Sequence, residues 1–313
     1  MHILCCTDHN YIMPTGVMIC SVCENNKDSK IVFHIISDSS VTKEDKESLN
    51  EIIGRYNHQS EYYSMESINS CFFVGKQGQN NHLLSLVAYY RLFLANLLPD
   101  NIDKVLYLDG DIIVRGSLKE LYNTNLDGLS IAAVPDSGQW DIARYEVLGY
   151  PSHKGYFNSG VLLVNIKYWR ENNLLEQFVN FATAHPERLR CHDQDILNYV
   201  LKDSKILLPI KYNLQNGYLY NELVIDTNYV QQLSDAIHNP TVLHYSARVK
   251  PWFKYCGHPY KDEFFKYRAL TKWKSDPLVN DNPDFRQKIR RICFHLGILK
   301  KLETKFIPLS PLE

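Results

Sequence analysis

Along this chain, apolar runs alternate with short polar knots, and several of the runs end in residues able to do chemistry. Residues 2–6 read as a first buried strand that closes on Thr7-Asp8-His9-Asn10-Tyr11. Pro14 suits the first turn of a helix reaching about Asn25. Residues 31–36 form a second strand, and Thr42-Lys43-Glu44-Asp45 is a capping box opening a helix with Leu49, Ile52 and Ile53 on one face. Residues 61–64 make a weak third strand, and the glycine-bearing stretch 75–82 reads as a mobile loop. Residues 83–98 predict a single helix stopped by Pro99, with one charge, Arg91, inside its apolar run.

The centre of the pattern is Lys104-Val105-Leu106-Tyr107-Leu108-Asp109-Gly110-Asp111-Ile112-Ile113-Val114, two short buried strands joined at a bend. Beyond it, 129–134 is a strand and 136–156 is loop-like, with Gly138, Gly149, Pro151 and Gly155. Residues 157–165 form a buried strand with a polar, glycine-bearing entrance. Helices follow at about 174–184 and 194–201, the second opened by His192-Asp193-Gln194-Asp195, and a last strand spans 241–245. Strands alternating with helices predict an α/β fold of βαβ units around a mixed, mostly parallel sheet.

Putting two carboxylates inside an apolar run would cost several kcal/mol unless something compensates their charge. Residues two apart on an extended segment face the same side, so Asp109 and Asp111 can share one hard cation. Gly110 lets a bulky ligand approach the backbone. Asp-Gly-Asp is also ordinary turn chemistry, but a solvated turn does not need buried strands leading into its acids. In α/β sheets the carboxyl ends of strands are where ligands sit.

Composition narrows the classes. With 313 residues, 45% hydrophobic and 22% charged, the chain can bury a substantial core. A net charge of −1 gives no global attraction to nucleic acid. Eight cysteines are too few for a disulfide framework. Cys20-Ser21-Val22-Cys23 lacks a second pair to complete a metal site, so buried thiols are expected. The first residues lack a basic, signal-like start, and no stretch reaches the roughly 18 apolar residues of a membrane span. The expectation is a cytoplasmic protein.

Asp8–Tyr11, Asp109–Asp111, Asn158–Gly160 and His192–Asp195 each close or open an apolar segment, and His244-Tyr245 leads to Lys250-Pro251-Trp252. With Arg91, Leu106-Tyr107-Leu108 and Val161-Leu162-Leu163-Val164-Asn165, this set resembles glycosyltransferase family 8 over roughly residues 1–275. That family holds bacterial lipopolysaccharide galactosyl- and glucosyltransferases. The resemblance implies a GT-A fold and a retaining transferase that moves glucose or galactose from a UDP-sugar to a glycan or glycolipid acceptor. Mn²⁺ is the implied cofactor, with Mg²⁺ as the alternative. Carried over by motif, Asp109, Asp111 and His244 hold the metal, and Lys250 adds a charge to the donor phosphates. Asp8, Asn10 and Tyr11 take the uridine, with Thr7, Gly110, Ser159, Gly160 and Ala247 also lining the donor site. Arg91, Asn158 and Asp193 hold the transferred sugar, and Gln194 lies near its anomeric carbon. Catalysis is thereby assigned to Asp193, Gln194 and Asn158. Where the family carries glycine just after His-Tyr-x, this chain has Ser246-Ala247-Arg248. The choice of hexose, the acceptor, the linkage and the oligomeric state stay open.

Residues 276–313 form a separate basic tail. Phe285, Ile289, Ile292, Leu296 and Leu299 share one helical face among Arg286, Lys288, Arg290, Arg291, Lys300 and Lys301. Such a face, over residues 285–301, either docks on an anionic membrane, here the inner face of the cell membrane, or packs on the enzyme's own body. Two other functions compete: a haloacid-dehalogenase-like phosphatase, built on the Asp-x-Asp, and a non-catalytic UDP-sugar or glycan-binding protein.

Overall fold

The computed structural model describes residues 1–65, 87–221 and 223–280, together with Ile289, Cys293, Leu296, Phe306 and Ile307. The expected loop at 75–82, the start of the 83–98 helix and most of the amphipathic stretch 285–301 lie outside these residues. Of that stretch, Ile289 and Leu296 are exposed. Further along, Phe306 returns to the body, where it bridges to Tyr220 and packs on the His258 ring, and the Ile307 N–H donates to Leu219 O at 2.8 Å.

The first part is an alternation of strands and helices: β1 (His2–Thr7), α1 (Ile12–Asn25), β2 (Val32–Ser37), α2 (Lys43–Arg55) and β3 (Gln59–Ser64). The capping box forms as expected, with Asp45 N donating to Thr42 Oγ1 at 3.1 Å and Thr42 N to Asp45 Oδ2 at 2.9 Å. The expected 83–98 helix is not continuous. Its described part divides into α3 (Val87–Tyr90), a 3₁₀ turn (Arg91–Phe93) and α4 (Leu94–Leu97). The break falls where the Arg91 side chain takes the Ala88 carbonyl, at 2.9 Å, and turns inward. Leu98, ahead of Pro99, is extended.

Then come β4 (Lys104–Leu108), β5 (Ile112–Val114), α5 (Lys119–Tyr122) and β6 (Ile131–Pro135). The loop expected over 136–156 contains a helix, α6 (Ile142–Leu148), and a 3₁₀ turn (Ser152–Lys154). Its signals were local: Asp141 caps the start, and Gly149, at φ +79°, ends it in the left-handed region. The density of glycine and proline around it hid them. Next follow β7 (Phe157–Asn165), α7 (Ile166–Glu171), α8 (Leu174–Ala184) and α9 (Asp193–Val200). The last elements are β8 (Lys205–Leu207), β9 (Leu214–Gln215), α10 (Val230–His238), β10 (Val242–His244) and α11 (Lys261–Arg268).

The main sheet runs β3-β2-β1-β4-β7-β6-β8, and a small one runs β5-β10-β9. Within the main sheet only β7 opposes its neighbours; the other pairings are parallel, as the alternation predicts. Apolar side chains fill both faces: Cys6, Leu4 and Tyr107 join one cluster, while Cys5, Ile3 and Leu106 join the other. The described cysteines are free, and Cys5, Cys6, Cys20 and Cys23 are buried as expected. Among the described residues no helix is long and apolar enough to cross a membrane.

The two sheets meet at Asp109-Gly110-Asp111. β4 ends in the large sheet and β5 begins the small one, so the bend passes from one to the other. Three pairings bring the other knots there. β1 lies parallel beside β4, the start of β7 lies antiparallel to its end (Leu108 opposite Val161), and β10 places His244 opposite Ile112.

Candidate active site

Asp109, Asp111 and His244 offer ligand atoms that all lie within 4.8 Å of one another. His244 Nε2 is 3.3 Å from Asp111 Oδ1 and 3.9 Å from Asp109 Oδ2. Asp111 Oδ1 is buried and accepts no hydrogen bond. A buried carboxylate oxygen without a donor is costly unless a cation takes it, so these residues fit a divalent ion. Imidazole beside two carboxylates suits Mn²⁺ better than Mg²⁺. Burial pushes the Asp111 carboxyl up, but the Lys250 ammonium, with His244 adding to it when that ring is protonated, outweighs burial and holds the group well below the usual carboxylate range. Lys250 Nζ lies 2.6 Å from Asp111 Oδ2 and donates to the Tyr245 carbonyl at 2.6 Å.

A relay of amides aims the imidazole. Asn158 Oδ1 accepts the Gly160 N–H at 3.0 Å, so that oxygen also receives Asn213 Nδ2 at 2.9 Å. Asn213 Oδ1 is thereby left to face His244 Nδ1 at 3.0 Å. The ring proton belongs on Nδ1, and the Nε2 lone pair points at the acids. Gly160 must be glycine, because a Cβ there would sit 2.3 Å from His244 Cε1 and 2.8 Å from Asp109 Oδ2. At Gly110 a Cβ would meet Thr15 Oγ1 at 2.7 Å and the Tyr11 ring at 3.1 Å.

Arg91 is the counter-charge. Its guanidinium is 2.8 Å from Asp109 Oδ1 and 3.1 Å from Asp193 Oδ2, donates to Ser159 O at 2.7 Å, and lies over the Tyr107 ring. Tyr107 in turn donates to Asp109 Oδ1 at 2.6 Å. Burial raises the Asp193 carboxyl to about 6 although Arg91 pulls it down. Gln194 is pinned at both ends: its carbonyl accepts the Ser159 N–H at 2.9 Å, and its Nε2 donates to Asp136 Oδ2 and Tyr156 Oη, each at 3.1 Å. Ahead of this pair, His192 holds φ +53°, a strained conformation of the kind that gathers at functional sites.

On the other side, Thr7 is buried at the end of β1 and accepts from Thr15 Oγ1 at 3.1 Å. Asp8 caps a 3₁₀ turn (His9–Tyr11) by accepting the Tyr11 N–H at 3.0 Å. The Tyr11 ring meets Trp252 edge-on, with centroids 5.8 Å apart, and Asn10 is exposed. The Ala247 N–H donates to Asn216 Oδ1 at 3.2 Å. The structure therefore brings the metal set, Arg91, Asn158, Ser159, Gly160, Asp193 and Gln194 into one network. The Asp8–Tyr11 turn lies beside it, through Tyr11 and Gly110. His9 stands apart, 2.7 Å from Asp45.

Sequence reasoning missed Tyr107, Asp136 and Asn213. Asp136 follows β6 directly and repeats the acid-at-strand-end signature of Asp8, so it was findable. Asn213 carried no sequence signal.

The glycosyl transferase family 8 profile matches residues 2–256. The chain belongs to that family. Family 8 membership sets aside the phosphatase reading and makes the protein a glycosyltransferase by kind. A lipopolysaccharide 1,2-glucosyltransferase of Escherichia coli is 30% identical over 278 residues, covering 86% of this chain and 78% of the relative. General stress protein A of Bacillus subtilis is 29% identical, covering 90% and 98%. A lipopolysaccharide 1,3-galactosyltransferase of Salmonella typhimurium is 28% identical, covering 92% and 83%. Among solved structures, the galactosyltransferase LgtC in complex with donor and acceptor sugar analogs superposes with a TM-score of 0.77 at 25% identity, over 87% of this chain and 96% of that one. This family 8 chain thus has the GT-A-like α/β fold that its motifs imply.

Proposed function

We propose that the protein is a retaining hexosyltransferase that moves glucose or galactose from a UDP-sugar to a glycan acceptor, such as a lipopolysaccharide or other cell-surface polysaccharide precursor. The observation that carries this reading is the cluster of Asp109, Asp111 and His244 around the unpartnered Asp111 Oδ1. The glucosyl- and galactosyltransferases among the relatives support the hexose donor. Asp109, Asp111 and His244 would hold Mn²⁺, or Mg²⁺ in its place. A bound ion supplies a Lewis acid for the charge that grows on the departing nucleoside diphosphate.

The chain's own residues do the rest. Asp8, Asn10 and Tyr11 take the uridine, with the Tyr11 ring on the base. Thr7, Gly110, Ser159, Gly160 and Ala247 shape the wall against the donor, and Lys250 offers a point charge to its phosphates. Arg91, Asn158 and Asp193 orient the sugar, and Gln194 faces its anomeric carbon. An amide whose carbonyl already accepts the Ser159 N–H is a poor nucleophile. Retention is therefore read as a front-face displacement, in which the leaving phosphate helps deprotonate the acceptor hydroxyl. In this reading residues 1–275 are the catalytic domain of a cytoplasmic enzyme, and the basic tail 276–313 brings it to the anionic inner face of the membrane. Equal pelleting with anionic liposomes by the full chain and by one ended before Asp284 overturns that last element.

The test is a donor panel with and without divalent cations, followed by mass analysis of product made on host glycolipid. UDP released from UDP-glucose or UDP-galactose only when Mn²⁺ or Mg²⁺ is present is the expected result. A protein that binds both donors and releases nothing is instead the non-catalytic sugar-nucleotide binder. Ala247, standing where the family carries glycine, is the observation that favours this second reading.

A further inference from the structure

Beside Asp136, whose Oδ1 is 3.8 Å from Arg144, α6 and the segment entering α9 line a cavity of about 140 Å³. Its wall carries three guanidinium groups, from Arg144, Arg188 and Arg190. Arg144 lies over the Tyr156 ring, 4.3 Å from its centroid, with Asp136 Oδ1 and Cys191 Sγ each at 3.8 Å. Arg188 donates to the Leu148 carbonyl at 3.3 Å, at the carboxyl end of α6. Arg190 is exposed and forms no ion pair among the described residues, in contrast to its neighbours.

The acids of the same wall are already occupied. Asp195 accepts the Tyr156 hydroxyl at 2.7 Å and the Cys191 N–H at 2.5 Å, and Asp141 accepts the Ala143 N–H at 3.1 Å as the cap of α6. Each guanidinium carries five donors, so N–H groups outnumber acceptors around the cavity. The cavity also adjoins the reaction centre. Asp136, the carboxylate nearest Arg144, receives Gln194 Nε2 at 3.1 Å and Asn158 Nδ2 at 3.2 Å on its other oxygen.

We propose that this cavity is a subsite for a negatively charged substituent of the acceptor, a phosphoryl or carboxylate group gripped by Arg144 and Arg190 with Arg188 at the rim. The inference rests on the glycosyltransferase reading and deepens it by naming the acceptor class: an anionic glycan. Guanidinium forks match oxyanions in paired fashion, and the donors left over around this cavity are more than a neutral hydroxyl would use.

The test uses saturation-transfer NMR on the full chain with diamagnetic Mg²⁺ and UDP, comparing galactose, galactose 6-phosphate and galacturonate, with inorganic phosphate as a competitor. At least one sugar anion binds about tenfold more tightly than galactose, the effect of one charge-assisted contact. That gap narrows as salt is raised. It falls to within about twofold in Arg190→Gln and to an intermediate value in Arg190→Lys, which keeps the charge but not the paired donors. Which anion wins tells phosphoryl from carboxylate recognition. Equal binding of the three sugars, or a gap unchanged in Arg190→Gln, overturns the proposal. Inorganic phosphate displacing the sugar anion at equal concentration assigns the cavity to a free anion and overturns it as well. UDP release from UDP-glucose or UDP-galactose with water as acceptor, read on a separate aliquot of the same protein without added UDP, tests donor chemistry separately. Failure of the enzymatic reading and failure of the subsite are therefore distinct results.

Discussion

Asn213→Ala should weaken the proposed metal site without touching any of its three proposed ligands. Asn213 is fully buried and holds His244 Nδ1 through its oxygen, and the Gly160 N–H dictates that orientation by way of Asn158. Without it, the imidazole can rotate or carry its proton on Nε2, the atom that faces the acids. Loss of such an outer partner costs about 10–100-fold in metal affinity, equivalent to about 1.4–2.8 kcal/mol. The lost hydrogen bonds also lower stability by about 1–3 kcal/mol. Two assays separate these effects: free Mn²⁺ followed by electron paramagnetic resonance during titration of the protein, and the Mn²⁺ concentration that half-saturates UDP release. Both midpoints should rise together, with turnover at saturating Mn²⁺ recovering to within a few-fold. A folded Asn213→Ala protein with an unchanged Mn²⁺ midpoint refutes the relay.

Other substitutions probe the same centre. Gly160→Ala puts a methyl group 2.3 Å from His244 Cε1, so Mn²⁺-dependent UDP release should fall at least about 100-fold, the scale of a misplaced reacting group; far-ultraviolet circular dichroism monitors the fold. Arg91→Ala strands the buried Asp193 and the half-buried Asp109, and urea unfolding should show a loss of about 3–5 kcal/mol. Gln194→Ala should keep measurable turnover, because a front-face route needs no covalent bond to the amide; complete loss with intact UDP-sugar binding would count against that route. Burial, with His2 adding to it, lowers the His34 pKa to about 4, and burial lowers that of His258 to about 3. Both folded values lie below the unfolded value of about 6.5, so the stability these neutral rings confer is complete above pH 6.5 and drains away as pH falls. The loss is on the order of 1 kcal/mol per pH unit per ring between pH 6 and 4. Urea midpoints at pH 7.5 and 4.5 measure it, and His34→Gln with His258→Gln should flatten the difference.

The site was legible where its chemistry interrupts a local pattern. Asp109 and Asp111 stand two apart in an apolar run, Asp8 ends a strand, and Arg91 is one charge in an otherwise apolar segment; each is a polar residue where periodicity demands an apolar one. Asp136 obeys the same rule and was masked by the glycines and proline that follow it. Those residues also hid α6, although Asp141 and Gly149 mark its ends. The break in the expected 83–98 helix had no local cause to read. It follows from a salt bridge between Arg91 and acids 18 and 102 residues away along the chain.

The amino-acid sequence by itself determined the strand–helix alternation, the parallel run of the sheet and the carboxylate pair, because burial periodicity and side-chain spacing act over a few residues. Only the tertiary structure decided that the pair bridges two sheets, that Asn213 rather than a carboxylate orients His244, and that three arginines converge beside Asp136. Those arrangements depend on antiparallel pairings and loop closures across tens to more than a hundred residues. Short-range pattern does not encode the register in which such distant segments meet.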